Sequence, residues 1–153
     1  MPDLLAGSRV RALDTPPTVW DVELSSYTTT STSFGQTTSG GTYAVCGAVF
    51  TAPTTGRVEI KVTAQVSNSS TLGTSVAAET RLGAVIGSGT VVEAVADGTG
   101  LIHYGTDGSR KTISHVLSGL TPGAVYNVIL LHKVSGASTG TILRRELIVA
   151  PLT

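Results

Sequence analysis

In the stretch RVEIKVTAQV, residues 57–66, every second position is apolar. Val58, Ile60, Val62, Ala64 and Val66 share one face, and Arg57, Glu59, Lys61, Thr63 and Gln65 share the other. A side-chain period of two belongs to a β-strand with one buried and one wetted face. The i, i+3, i+4 recurrence of an amphipathic helix is missing. In AVYNVILLHKV (124–134) the same test groups Tyr126, Val128, Leu130, His132 and Val134. In TILRRELIV (141–149) it groups Leu143, Leu147 and Val149, with Arg145 among them. KTISHVL (111–117), YAVCGAVF (43–50), GTVVEAV (89–95), SVAAETRLGAVI (75–86) and the Thr-rich YTTTSTSF (27–34) bring the expected strands to about eight.

Turn chemistry separates these segments: TSGGT (38–42), APTTG (52–56), IGSGT (86–90), ADGTG (96–100), TDGS (106–109) and LTPG (120–123). In the last, Pro122 and Gly123 suit positions i+1 and i+2 of a type II turn. No stretch supports a helix longer than a turn or two, and no internal repeat is visible. The pattern predicts an all-β protein, an antiparallel β sandwich of jelly-roll type. Residues 1–22 fit it poorly and are read as an extended N-terminal arm ahead of a domain at 23–153.

Composition sharpens this picture. Among 153 residues the charged share is only 13% and the formal net charge is zero, which gives no electrostatic reason to expect a nucleic acid or a membrane surface as partner. Aromatics make up 5%, so the expected core is aliphatic rather than an aromatic-lined ligand pocket. Cys46 is the only cysteine, which excludes an intrachain disulfide and a thiolate metal cluster. The start of the chain shows no signal-peptide pattern, because Leu4, Leu5 and Ala6 are too short an apolar run and Arg9 and Arg11 follow them. No apolar run reaches the length of a membrane span.

Candidate chemistry is thin. His103, His115 and His132 lie on three segments without metal-ligand spacing, and His132 alternates with apolar neighbours as a hydrogen-bonded core or interface histidine does. The carboxylates are scattered, which gives little support to a glycosidase pair. They read as solvated groups or ion-pair members, Arg145 with Glu79 or Glu146 among them. There is no GxSxG elbow, and GSGT (87–90) reads as a turn between strands rather than a nucleotide fingerprint. NSS (68–70) matches a sequon too short to weigh, and Cys46 reads as a small buried hydrophobe. The expectation is a protein without catalysis, metal or cofactor.

The arm remains. In LLAGSRVRALDTPPTVW (4–20), Pro16 and Pro17 supply no ladder N–H and disfavour a central strand. RVRAL alternates and suits addition to the edge of a neighbour, while an arm folded back on its own sandwich is the plainer alternative. Val10, Arg11, Leu13, Pro16, Pro17 and Trp20 are therefore the candidate partner-docking residues. His132 and Arg145, polar side chains on apolar strand faces, are candidates for a subunit interface; a buried ion pair would suit them equally.

The strings LLAGSRVRALDTPPTV, FTAPTTGRVEIKVTAQVSN, GSGTVV, GLTPGAVYNVILLHKVSG and RRELIVAPLT together resemble small virion proteins of tailed bacteriophages that infect actinobacteria. The resemblance covers nearly the whole chain, and the opening string and the IVAP ending are its distinctive parts. It implies a virion component of the minor tail, head-fibre or capsid decoration kind, with other phage virion proteins as partners, and carries over no catalytic residue. FTAPTTGRVEIKV is also similar to trimeric jelly-roll heads of the C1q and tumour-necrosis-factor kind, which implies a homotrimer. The rival expectation is a module that binds host surface glycan, with Tyr104 as its best loop aromatic.

Overall fold

A computed structural model describes residues 15–153. Eleven strands follow one another: β1 (Val19–Glu23), β2 (Tyr27–Thr29), β3 (Gly40–Gly41), β4 (Gly47–Thr51), β5 (Val58–Asn68), β6 (Gly73–Leu82), β7 (Thr90–Glu93), β8 (Gly100–Tyr104), β9 (Ser109–Leu117), β10 (Val125–Val134) and β11 (Gly140–Pro151). A single 3-10 turn, Asp97–Thr99, is the only helical element among the described residues.

The strands form two antiparallel sheets. In the first, β5 lies between β9 and β11, and the far side of β11 is taken by β1 and β2 in succession. In the second, β10 lies between β4 and β6, and the far side of β6 is taken by β7 and β8. Counting β1/β2 and β7/β8 as one position each, and leaving aside the two-residue β3 that flanks β2, gives eight positions in chain order. The sheets then read 1-8-3-6 and 2-7-4-5. That interleaving is the jelly-roll topology, in which every connection crosses between the sheets except the hairpin from position 4 to position 5, and no long helical crossover is needed.

The core follows the alternation. Val58, Ile60, Val62, Ala64 and Val66 of β5 are at most 1% exposed, and Tyr126, Val128, Leu130 and Val134 of β10 face them across the sandwich. The Pro122–Gly123 turn forms as the sequence requires, with Gly123 at φ 78° and the Ala124 N–H donating to the Thr121 carbonyl.

Several segments depart from the simple pattern. A bulge between Ile142 and Arg144 resets the phase of β11, so Ile142 rather than Leu143 points inward before Arg145, Leu147 and Val149. The 43–50 and 27–34 segments contribute only β4 and β2, because their remaining residues wrap β10 as a loop. β8 lay hidden in a Gly-rich connection. The arm boundary also moves: Val19–Glu23 is a sheet strand paired with Arg145–Val149, so residues 19–22 belong to the sandwich rather than to the arm. The Pro pair ends before Val19, which leaves VWDVE free to donate to the ladder.

The outer side of β10 is apolar as well, and the chain covers it itself. The Asn127 side chain donates to the Gly83 and Ser88 carbonyls and accepts from the Gly87 N–H, holding the 83–89 loop down. Ile86 and Gly87 then sit against Gly47 and Ile129, which accounts for the burial of Ile129.

Candidate functional site

Two regions gather the residues singled out by the sequence. The first is the entry to the sandwich. Val10, Arg11 and Leu13 lie outside the described residues. Pro16 is buried and Pro17 exposed, so one ring packs and the next stands in solvent. On β1, Val19 packs against the core while Trp20, opposite Ile148, faces out. Trp20 is 69% exposed and Leu24, just beyond β1, is 66% exposed. The only tryptophan of the chain therefore makes no anchor on its own domain.

Asp21 joins this margin to the other sheet. Its Oδ2 accepts from the buried Gly47 N–H at 2.9 Å, and its Oδ1 accepts from the Val22 N–H at 2.9 Å. The first strand of one sheet is thereby clipped to the edge strand of the other. Glu23 turns its carboxylate to the Ser25 N–H, and that hydrogen bond is the main reason its pKa lies below the usual carboxylate range.

The second region lies inside the protomer. Arg145 has no measurable exposure and His132 only 1%. The subunit-interface assignment is thus corrected: both side chains are filled around by their own chain. Two tyrosines make this possible. The Arg145 guanidinium carbon lies 4.7 Å from the Tyr27 ring centre and 5.2 Å from that of Tyr43, and Nη1 donates to the Ala44 carbonyl at 2.8 Å. Arg145 pairs with neither Glu79 nor Glu146, which bind Arg81 and Arg110 instead. Its Nε and Nη2 have no hydrogen-bond partner among the described residues.

The His132 ring lies 4.8 Å from Tyr27 and 5.7 Å from Tyr43, centre to centre. Nδ1 meets the Tyr27 hydroxyl at 2.9 Å and Nε2 meets the Thr37 carbonyl at 2.9 Å. A carbonyl only accepts, so Nε2 carries the proton and Nδ1 accepts from the tyrosine. Burial lowers the His132 pKa, the Arg145 charge adds to that, and the Thr37 carbonyl opposes both. Burial likewise raises the Cys46 thiol and the Tyr43 phenol, each to about 12. The sequence pointed to His132 and Arg145 but not to Tyr27 and Tyr43. Their parity was unreadable because one opens a very short strand and the other lies in a loop.

The remaining histidines stay apart. His115 Nε2 lies 3.1 Å from a Glu93 carboxylate oxygen, which joins the edges of the two sheets. Among the described residues no three His, Cys, Asp or Glu side chains gather as a metal site. Tyr104 is 61% exposed at the end of β8.

No protein-family model matches the chain, and no characterised protein shows significant similarity to it.

Proposed function

We propose that this protein is a non-enzymatic structural component on the exterior of a phage particle, a capsid decoration, head-fibre or tail-appendage protein. The domain associates as a trimer, and the N-terminal segment docks on another virion protein. The observation that supports this reading best is the margin where that segment enters: Trp20 stands in solvent on β1, a strand clipped to the sandwich by Asp21, with the exposed Pro17 and Leu24 just before and just after that strand. Tryptophan is among the side chains enriched in the hot spots at the centre of protein interfaces. The resemblance of the sequence to virion proteins supplies the class of partner.

The test is a deletion of residues 1–14, which leaves the buried Pro16 and β1 in place. The shortened protein is expected to fold and associate as the full chain does, and to fail to join particles when supplied to an assembling phage. Incorporation at wild-type occupancy would overturn the docking role. Glycan recognition is the second reading, favoured by the two exposed aromatics Trp20 and Tyr104. Retention of the isolated domain on a host-glycan array, lost on Tyr104→Ala, would favour it instead.

A further inference from the structure

Past Ile129, β4 no longer pairs with β10, yet that edge is closed. The loop between β2 and β3 takes over the ladder. The Gly35 and His132 backbones exchange hydrogen bonds at 3.1 Å, and the Val134 N–H donates to the Ser31 carbonyl at 2.8 Å. The loop is held there by side chains that converge on one imidazole. Thr37 accepts from His132 Nε2 and also from the Thr29 hydroxyl, and Tyr27 of β2 donates to Nδ1.

We propose that His132 is an acid-operated latch. While neutral it ties β2 and the 30–39 loop to β10; when it takes a proton from solvent on Nδ1, the loop lifts and uncovers the β10 backbone from His132 to Val134. Protonation acts in two ways. Nδ1 becomes a donor, so the Tyr27 hydroxyl loses its only acceptor among the described residues. A second cation also forms beside Arg145, in a core where, among the described residues, no carboxylate lies within ion-pair distance of that guanidinium.

Among the described residues, the surrounding groups give the new charge no relief. β2 contributes the neutral Tyr27, the segment before β4 contributes the neutral Tyr43 and Cys46, and β11 contributes the cation Arg145. From β1, the Asp21 carboxylate is engaged by the Gly47 N–H and the Glu23 carboxylate by the Ser25 N–H. The 30–39 loop carries no ionisable side chain. Lifting the loop lets water reach the imidazolium and frees the His132 and Val134 N–H groups, a strand edge that another segment can pair with.

The state that binds the proton is the open one. Opening therefore grows as pH falls below the ordinary histidine range, by about tenfold per pH unit until the closed state itself protonates. The experiment is hydrogen exchange by NMR on the full chain between about pH 7 and about pH 5, with rates corrected for intrinsic exchange. The Gly35, Ser39, His132 and Val134 amides are expected to lose protection by about tenfold per unit, while Val62 and Leu147 hold theirs. In His132→Gln the same amides should show no pH dependence. Should that variant fail to fold, the imidazole of the wild-type chain is titrated by NMR, and its midpoint should coincide with the loss of Gly35 protection. Protection of these amides unchanged to about pH 5, an identical pH-dependent loss in His132→Gln, or an imidazole that titrates without loss of Gly35 protection would overturn the latch.

Discussion

Arg145 is the largest side chain that the sandwich encloses completely, and its cost and benefit can be separated by substitution. Among the described residues this buried cation meets no carboxylate and is stabilised by one carbonyl and two aromatic faces, and each aromatic face contributes about 0.5–2 kcal/mol. Desolvation of the charge costs several kcal/mol. Arg145→Met keeps most of the packed volume and removes the charge, so the variant is expected to match or exceed wild-type stability by about 1–2 kcal/mol in urea denaturation. Arg145→Ala leaves a void between Tyr27 and Tyr43 and is expected to lose about 2–5 kcal/mol. Equal losses in both variants would mean that the charge itself holds Ala44 and the tyrosines in place. The alternation in RRELIV showed that a cation shares a face with Leu147 and Val149. It did not show what shields it, because Tyr27 and Tyr43 come from segments more than a hundred residues away.

At the scale of elements, long strands with strict alternation were legible and short or interrupted ones were not. β5 carries the period of two, so a one-residue slip would turn its core side chains to the wetted face, whereas β10 is a longer apolar run buried on both faces. β1 was hidden by its context, since a proline pair lies one residue before it and its outward Trp20 suggested an anchor rather than a strand face. The bulge in β11 was hidden because a local change of phase leaves both Ile142 and Leu143 as plausible inward residues. What holds β1 is Asp21, and its removal gives a sharp expectation. Asp21→Ala leaves the buried Gly47 N–H without its acceptor, for a loss of about 1–3 kcal/mol. Asp21→Asn keeps an acceptor oxygen and should lose less. Far-ultraviolet circular dichroism in urea is the proper readout, because Trp20 is already in water and its fluorescence changes little on unfolding. An Asp21→Ala midpoint equal to that of the wild type would show that β1 is held by its ladder with β11 alone.

Across the whole molecule, the two sheets meet around a core that holds its ionisable groups neutral apart from Arg145, and this fixes the alkaline limit of stability. Cys46, Tyr43 and Tyr27 are all pushed upward, mainly by burial, with Cys46 and Tyr43 reaching about 12. In the unfolded chain the thiol ionises near 9.0 and the phenols near 10.0. Each group therefore contributes its stability in full below the unfolded value and loses it as pH rises towards the folded one. Stability should begin to fall near pH 9, where only Cys46 responds, with a slope of at most about 1.4 kcal/mol per pH unit. It should steepen above pH 10, where the tyrosines join. Cys46→Ala shifts the whole curve down by the lost packing but should delay the onset of the decline to about pH 10. Tyr27→Phe should keep the onset near pH 9 and soften only the later slope. Urea midpoints measured at half-unit steps through this range separate the two shapes. A parallel decline of the wild type and Cys46→Ala between pH 9 and 10 would mean that the thiol ionises with equal ease in the folded and unfolded chains.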